Sequence, residues 1–228
     1  MEFKIIGEPL PVVILTMREG ESVLTQSSGM AWMSDGFEMK TGTEGGLLKG
    51  IARVLAGETL FMTRYTCNRD MGEIAFASSF PGEIIPLELK PGQSIICQKK
   101  AFLCGESTVK LEPFFMKKLT TALFGGEGFV LEKITGPGVC FVEIDGSVVK
   151  YELGYSDVLK VDPGHIAMFE ESVEFNIETI KGVRNIMFSG EGLFLSTLKG
   201  PGRVWLQSMP IENLAARLIP YLPERTSE

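Results

Sequence analysis

Histidine occurs once in the 228 residues, as His165, and cysteine four times, as Cys67, Cys97, Cys104 and Cys140, with no Cys-x-x-Cys pair. A structural zinc site takes four soft or borderline ligands in paired spacing. That spacing is missing, so no metal is expected and the cysteines read as isolated buried thiols. No serine stands in Gly-x-Ser-x-Gly, and neither Ser22 nor Ser107 has a motif-level partner, so a hydrolytic triad lacks its base. Long apolar runs are missing too: the stretch from Leu10 to Leu15 falls far short of the roughly 20 residues of a membrane span. The start, Met1-Glu2-Phe3-Lys4, has no charged-then-apolar leader pattern. Basic residues are outnumbered, 22 against 29 acidic, for a net charge of −7 and a pI near 5.0. Nucleic-acid affinity is driven by cations, so nucleic acid is not the expected partner. The expectation is a soluble cytoplasmic protein without a cofactor.

What is abundant is glycine (26) and proline (12), punctuating short apolar stretches, which makes the class all-β. One stretch occurs twice. Phe124-Gly-Gly-Glu-Gly-Phe-Val-Leu131 returns as Phe188-Ser-Gly-Glu-Gly-Leu-Phe-Leu195, each followed by Gly-Pro-Gly, at Gly136–Gly138 and Gly200–Gly202. The offset is 64 residues at every matched position. A degenerate third copy, Leu55-Ala-Gly-Glu-Thr-Leu-Phe-Met62, comes earlier, with the looser turn Cys67–Gly72 after it. Self-similarity at a fixed period marks repeated units. The expected division is three β units, residues 1–90, 91–153 and 154–228, the last ending in a short helix from Asn213 to Leu218.

Within the units, strand-like segments starting at Val23, Ile95 and Val158 align without gaps, which sets His165 against Met30 and Phe102. Those are apolar positions, and His165 reads as a core or interface histidine. By the same alignment Trp205 falls on Phe141 and Trp32 on Cys104, so core packing is expected for both tryptophans. Apolar residues at helical spacing follow in each unit: Leu47, Ile51 and Leu55; Phe115, Leu119 and Leu123; Val183 and Met187. Val139–Ile144 and Ser147–Leu153 flank Asp145-Gly146, a two-residue hairpin signal.

The sharpest chemical candidates are Glu58, Glu127 and Glu191, one per unit at the same place. Around a pseudo-threefold axis three such carboxylates could hold a hard cation or share a proton. Alternatively each accepts backbone N–H bonds within its glycine turn, a role the flanking glycines favour. The glycine-rich segments are not phosphate cradles, because a strand and not a helix follows them. Basic pairs on the helical stretches recur once per unit: Lys49 and Arg53, Lys117 and Lys118, Lys181 and Arg184. They form either a solvated face or a basic rim for an acidic partner or lipid headgroups.

Gly45-Gly-Leu-Leu-Lys-Gly50, Gly57-Glu-Thr-Leu-Phe-Met62, Phe124-Gly-Gly-Glu-Gly-Phe129 and Gly200-Pro-Gly-Arg-Val-Trp-Leu-Gln207, in that order, resemble one family. It is the altered-inheritance-of-mitochondria (mitochondrial biogenesis) group with its prokaryotic relatives, and the resemblance runs from about Gly20 to Gln207. It implies a fold similar to the tryptophan RNA-binding attenuation protein: β-sandwich units of double-stranded β-helix type, three in one chain in a pseudo-threefold arrangement, with short helices. Metal enzymes on such folds need two or three histidines, and this chain has one. The expected function is therefore a non-enzymatic binding or assembly protein that associates with copies of itself, since strand edges must be paired or covered. A small-ligand or RNA-binding module is the alternative.

Overall fold

Short alternating apolar stretches, each stopped by a glycine or proline turn, form strands because one or both of their faces can be buried against a neighbouring sheet. The computed structural model describes residues 1–26, 29–42, 62–99, 101–114, 131–179 and 194–222. The described strands of the first third are β1 (Glu2–Ile6), β2 (Val12–Arg18), β3 (Ser22–Gln26), β4 (Met30–Met33), β5 (Phe37–Gly42), β6 (Met62–Cys67) and β7 (Met71–Ala77). Then come β8 (Gly82–Leu89), β9 (Ser94–Gln98), β10 (Phe102–Glu106), β11 (Lys110–Phe114), β12 (Leu131–Thr135) and β13 (Gly138–Asp145). The last are β14 (Val148–Leu153), β15 (Val158–Val161), β16 (Ile166–Glu170), β17 (Glu174–Thr179), β18 (Phe194–Lys199) and β19 (Gly202–Gln207), followed by helix α1 (Ile211–Leu218). The protein is all-β, with a single short α-helix among the described residues.

Among the described residues all pairings are antiparallel, in four sheets: β1-β2-β7-β4, β5-β6-β3-β10-β13-β8, β11-β12-β9-β16-β19-β14 and β15-β18-β17. Advancing every strand of the first six-stranded sheet by six gives the second. The smaller sheets are halves of the same order, β4-β7-β2 at one end of the chain and β17-β18-β15 at the other. Three cores lie between successive sheets. Val13, Leu15, Ile74 and Phe76 pack with Val23, Tyr65 and Phe141 in the first. Leu24, Ile95, Ile134, Val142 and Trp205 share the second. Ile96, Ile166, Phe169, Leu198 and Val204 share the third. Neighbours Val23 and Leu24, like Ile95 and Ile96, therefore serve different cores. That is why Ser94-Ile95-Ile96-Cys97 reads as a continuous apolar run: both of its faces are buried.

Several expectations need correcting. Asp145-Gly146 is not a hairpin. β13 is already flanked by β8 and β10, and β14 pairs with β19 in the next sheet. The turn passes the chain from one sheet to the next. Gly146 still needs its φ of 72°, and its N–H donates to the Pro81 carbonyl at 2.8 Å. The third-unit alignment also shifts by one residue. Ser22 pairs with Thr66, Ser94 with Thr135 and Val158 with Lys199, so Val158 matches the serines and not Val23 and Ile95. Likewise Ile166 pairs with Leu206 as Phe102 does with Val142 and Met30 with Phe76, and His165 precedes that place. Helix α1 begins at Ile211, directly after Pro210. The helical stretches expected around Leu47–Leu55, Phe115–Leu123 and Val183–Met187 lie outside the described residues.

The Gly-Pro-Gly turns link β12 to β13 and β18 to β19. Gly138 (φ 139°) and Gly202 (φ 144°) occupy backbone that favours glycine, and a Cβ would lie 2.6 Å from Thr108 Oγ1 or 2.5 Å from Ser172 Oγ. Beside each turn a carboxylate satisfies the incoming strand. Val139 N–H donates to Glu106 Oε2 at 3.0 Å, and Arg203 N–H to Glu170 Oε2 at 2.9 Å. At the start of β7, Ser34 Oγ does the same for Glu73 N–H at 2.9 Å.

Candidate functional site

All nine residues singled out from the sequence, Lys49, Arg53, Glu58, Lys117, Lys118, Glu127, Lys181, Arg184 and Glu191, lie outside the described residues. The described structure instead directs attention to β14 and its surroundings. Alternation along Val148-Val149-Lys150-Tyr151-Glu152-Leu153 points Val149, Tyr151 and Leu153 to one face. Leu153 pairs with Gly202, as Leu89 does with Gly138 and Met17 with Gly72. Two and four residues back along each strand lie Tyr151, Leu87 and Leu15, then Val149, Ile85 and Val13. Val13 and Leu15 are fully buried in the first core, and Ile85 and Leu87 pack partly buried against the second. Val149 and Tyr151 remain 47% and 42% exposed.

These two side chains wall an open groove of about 400 Å³ shared with Leu159, Lys160, His165 and Leu206. Its polar end is a hydrogen-bonded cluster joining β9, the turn before β16, β19 and α1. The Gln207 amide donates to Gln98 Oε1 at 3.1 Å and to the Gly164 carbonyl at 2.8 Å, and Gln98 Nε2 donates to that carbonyl at 3.0 Å. The Gln207 carbonyl can only accept, so His165 Nδ1 carries the donated proton at 2.7 Å, leaving Nε2 to accept from Asn213 at 3.4 Å. His165 is thus half-buried and held between amides, not set in an apolar core. Nearby, Asp145 has its carboxyl pushed up to about 6 by burial and by the charges of Glu143 and Glu212, against a hydrogen bond from the Ile211 backbone. The amides of this cluster largely satisfy one another. What the groove offers an incoming group is its apolar wall.

At the opposite end of the sheet stack lies β4. Trp32 pairs with Ala75 as Cys104 pairs with Phe141 and Met168 with Trp205. Cys104 and Met168 are fully buried, whereas Trp32 is 50% exposed, which corrects its expected core placement. Trp205 is buried, with Arg203 and Lys150 stacked 5.3 and 5.6 Å from its ring centre.

The remaining buried chemistry is structural. All four cysteines are free and buried. Burial pushes the Cys97 and Cys104 thiols far up, helped at Cys97 by the Glu132 charge, and Cys140 rises to about 12. These are not thiolate nucleophiles. Glu132, buried in β12, accepts from Gln26 Nε2 at 2.9 Å and ties β3 to β12. Among the described residues no three His, Cys, Asp or Glu side chains are grouped to hold a metal ion, and no helix is long and apolar enough to cross a membrane. Val149 and Tyr151 belong to no motif, but their alternation with Lys150 and Glu152 marks a two-faced strand that a hairpin reading of the segment conceals.

Comparison with known proteins agrees with the resemblance read from the glycine motifs. The profile of the family described as "Mitochondrial biogenesis AIM24" matches residues 3–209. An uncharacterised protein of Streptococcus pyogenes serotype M6 is 29% identical over 223 residues, spanning 93% of this chain and 87% of its own. An X-ray crystal structure of a protein from Streptococcus pyogenes superposes with a TM-score of 0.80 at 25% identity, covering 97% of this chain and 99% of that one. With a profile match that leaves out only the two ends, this chain belongs to the mitochondrial biogenesis AIM24 family.

Proposed function

We propose that the protein is a non-enzymatic binding and assembly module, made of three successive β units (residues 1–90, 91–153 and 154–228) and associating with copies of itself. The strand order that recurs every six strands supports the division, with each six-stranded sheet shared between successive units. The observation that carries the function is the contrast between inner and outer strands. Cys104 and Met168 are buried where Trp32 is exposed, and Val13 and Leu15 are buried, with Ile85 and Leu87 partly so, where Val149 and Tyr151 are exposed. Exposed apolar surface beside open strand edges marks a surface that binds protein. Four free buried thiols fit a reducing, cytoplasmic setting. The basic pairs Lys49/Arg53, Lys117/Lys118 and Lys181/Arg184 remain the candidate contacts for an acidic partner.

Size-exclusion chromatography with light scattering at micromolar concentration tests the reading. A mass that is a multiple of the 25.0 kDa chain is expected, and a strict monomer overturns it. The groove beside β14 favours a second reading, a small apolar ligand. Native mass spectrometry of the freshly purified protein distinguishes the two: a bound small molecule on a monomer supports the ligand, and a multimer without added mass supports assembly.

A further inference from the structure

We infer that copies of this chain join head to tail, the free edge of β4 in one copy adding as a strand to the free edge of β15 in the next, with Trp32 seated in the groove walled by Val149, Tyr151 and Leu159. This deepens the self-association reading and rests on it.

The chain makes the same kind of junction twice internally. β3 is extended by β10 and β9 by β16, both antiparallel. In the first junction Glu106 lies opposite Val23 and Gly105 opposite Leu24. In the second Glu170 lies opposite Ile95, Phe169 opposite Ile96 and Met168 opposite Cys97. Advancing the scheme once more leaves two strands over. β15 matches β3 and β9 in its pairing with β18, and β4 matches β10 and β16 in its pairing with β7, and among the described residues no strand pairs with the other edge of either. The two free edges are therefore complementary, each being the half of the junction that the other lacks. The shared register sets Trp32 opposite Val161, Met33 opposite Lys160 and Ser34 opposite Leu159.

The side chains agree with that pairing. At the inner junctions the strand that adds on also covers the core behind it. Leu103, Cys104 and Phe141 close the first core, and Ala167, Met168 and Trp205 close the second. Among the described residues the third core has no such cover, and its exposed wall is Val149 and Tyr151. The residue in the covering position on the free strand is Trp32, the largest side chain available to fill it. One residue departs from the inner pattern. Lys160 stands where Leu24 and Ile96 are buried, so a charge replaces an apolar contact. Lysine on an open edge discourages indiscriminate pairing and leaves this junction weaker, hence more reversible, than the internal ones. Contacts of this heterologous kind close into a ring or extend into a filament.

Trp32→Cys and Val161→Cys proteins, purified separately, are mixed under diamide oxidation. A disulfide-linked species of about twice 25.0 kDa, present in the mixture and in neither protein alone, is the expected result. Association of the wild type by light scattering with no mixed cross-link overturns the β4–β15 assignment while leaving self-association standing. A disulfide formed only within one chain of the doubly substituted protein overturns it as well, by showing that β4 closes on its own β15. A monomeric wild type removes both readings together. As a second measurement, Lys160→Ile, which restores the inner residue type, should tighten association several-fold, and Trp32→Glu should weaken it at least tenfold with the buried Trp205 fluorescence unchanged. Association insensitive to both substitutions overturns the inference.

Discussion

Strands β2 and β14 hold the same place in the pairing scheme, opposite β7 and β19, and carry similar apolar side chains, yet Val13 and Leu15 are buried while Val149 and Tyr151 are not. The difference lies in what stands across from them. A six-stranded sheet packs over β2, with Phe141 meeting Phe3 of the neighbouring β1 edge-on at 5.0 Å between ring centres, and among the described residues no strand continues beyond β15 to do the same for β14. Burial in this protein is set less by the composition of a strand than by whether the next sheet is present. Among the described residues the last sheet, β15-β18-β17, shares a hydrophobic core only with the sheet before it.

The largest effects should appear on the covered side. Phe141→Ala removes a fully buried ring shared by the first core and should cost about 3–5 kcal/mol in denaturant unfolding. Trp32→Ala, with a larger ring at the uncovered end, should cost under about 1 kcal/mol when measured at a concentration where the chain is monomeric. Leu15→Ala and Tyr151→Ala make the same comparison on matched strands, about 2–5 kcal/mol against under about 1. Equal losses within either pair would show that the far end is covered in solution even in a single chain.

Next in size is the carboxylate beside the second Gly-Pro-Gly turn. Burial alone would raise the Glu170 carboxyl, but hydrogen bonds from the Arg203 side chain, at 2.7 Å to Nε, and from its backbone outweigh this and hold it below its ordinary value. Its contribution is complete above the ordinary glutamate value of 4.5 and is lost as pH falls through the lower folded value. Glu170→Gln should therefore cost about 1–2 kcal/mol at neutral pH, with the deficit shrinking in acid, as read from thermal unfolding across pH.

The smallest effect has the opposite sign. The Asp145 carboxyl, raised to about 6, contributes stability that is fully present below 3.8 and lost as pH rises through about 6. Asp145→Asn should raise the unfolding midpoint slightly at pH 7, and the gain should vanish by about pH 4. A gain independent of pH would mean that packing, and not charge, sets the effect.

The all-β class, the strand positions and the glycine turns were legible because each rests on local chemistry: alternation for the strands, positive φ for Gly138, Gly146 and Gly202. What failed was partner choice. Asp145-Gly146 has the residues of a hairpin, but a turn does not specify which neighbour its flanking strands will take, and β13 already had two. Val158 and His165 fall one residue out of register when apolar residues, and not turns, are aligned. The register is set where a backbone N–H meets a side chain three residues on, Arg18 to Glu21, Lys90 to Gln93 and Gly154 to Asp157. That acid-or-amide position was present in the sequence and would have fixed the alignment. The groove could not be read in the same way, because it arises where the described sheet ends at β15 and not from any motif.

The four thiols are distributed unevenly: Cys67 and Cys104 belong to the first core, Cys97 and Cys140 to the second, and the third contains no cysteine. A thiol-modifying reagent therefore acts as a layer-specific clock. Fraying that stays at the β14–β15 end leaves every sulfur silent, whereas labelling of Cys97 ahead of Cys67 records the middle layer opening before the first. The chain thus carries its own reporters of the order in which its layers come apart.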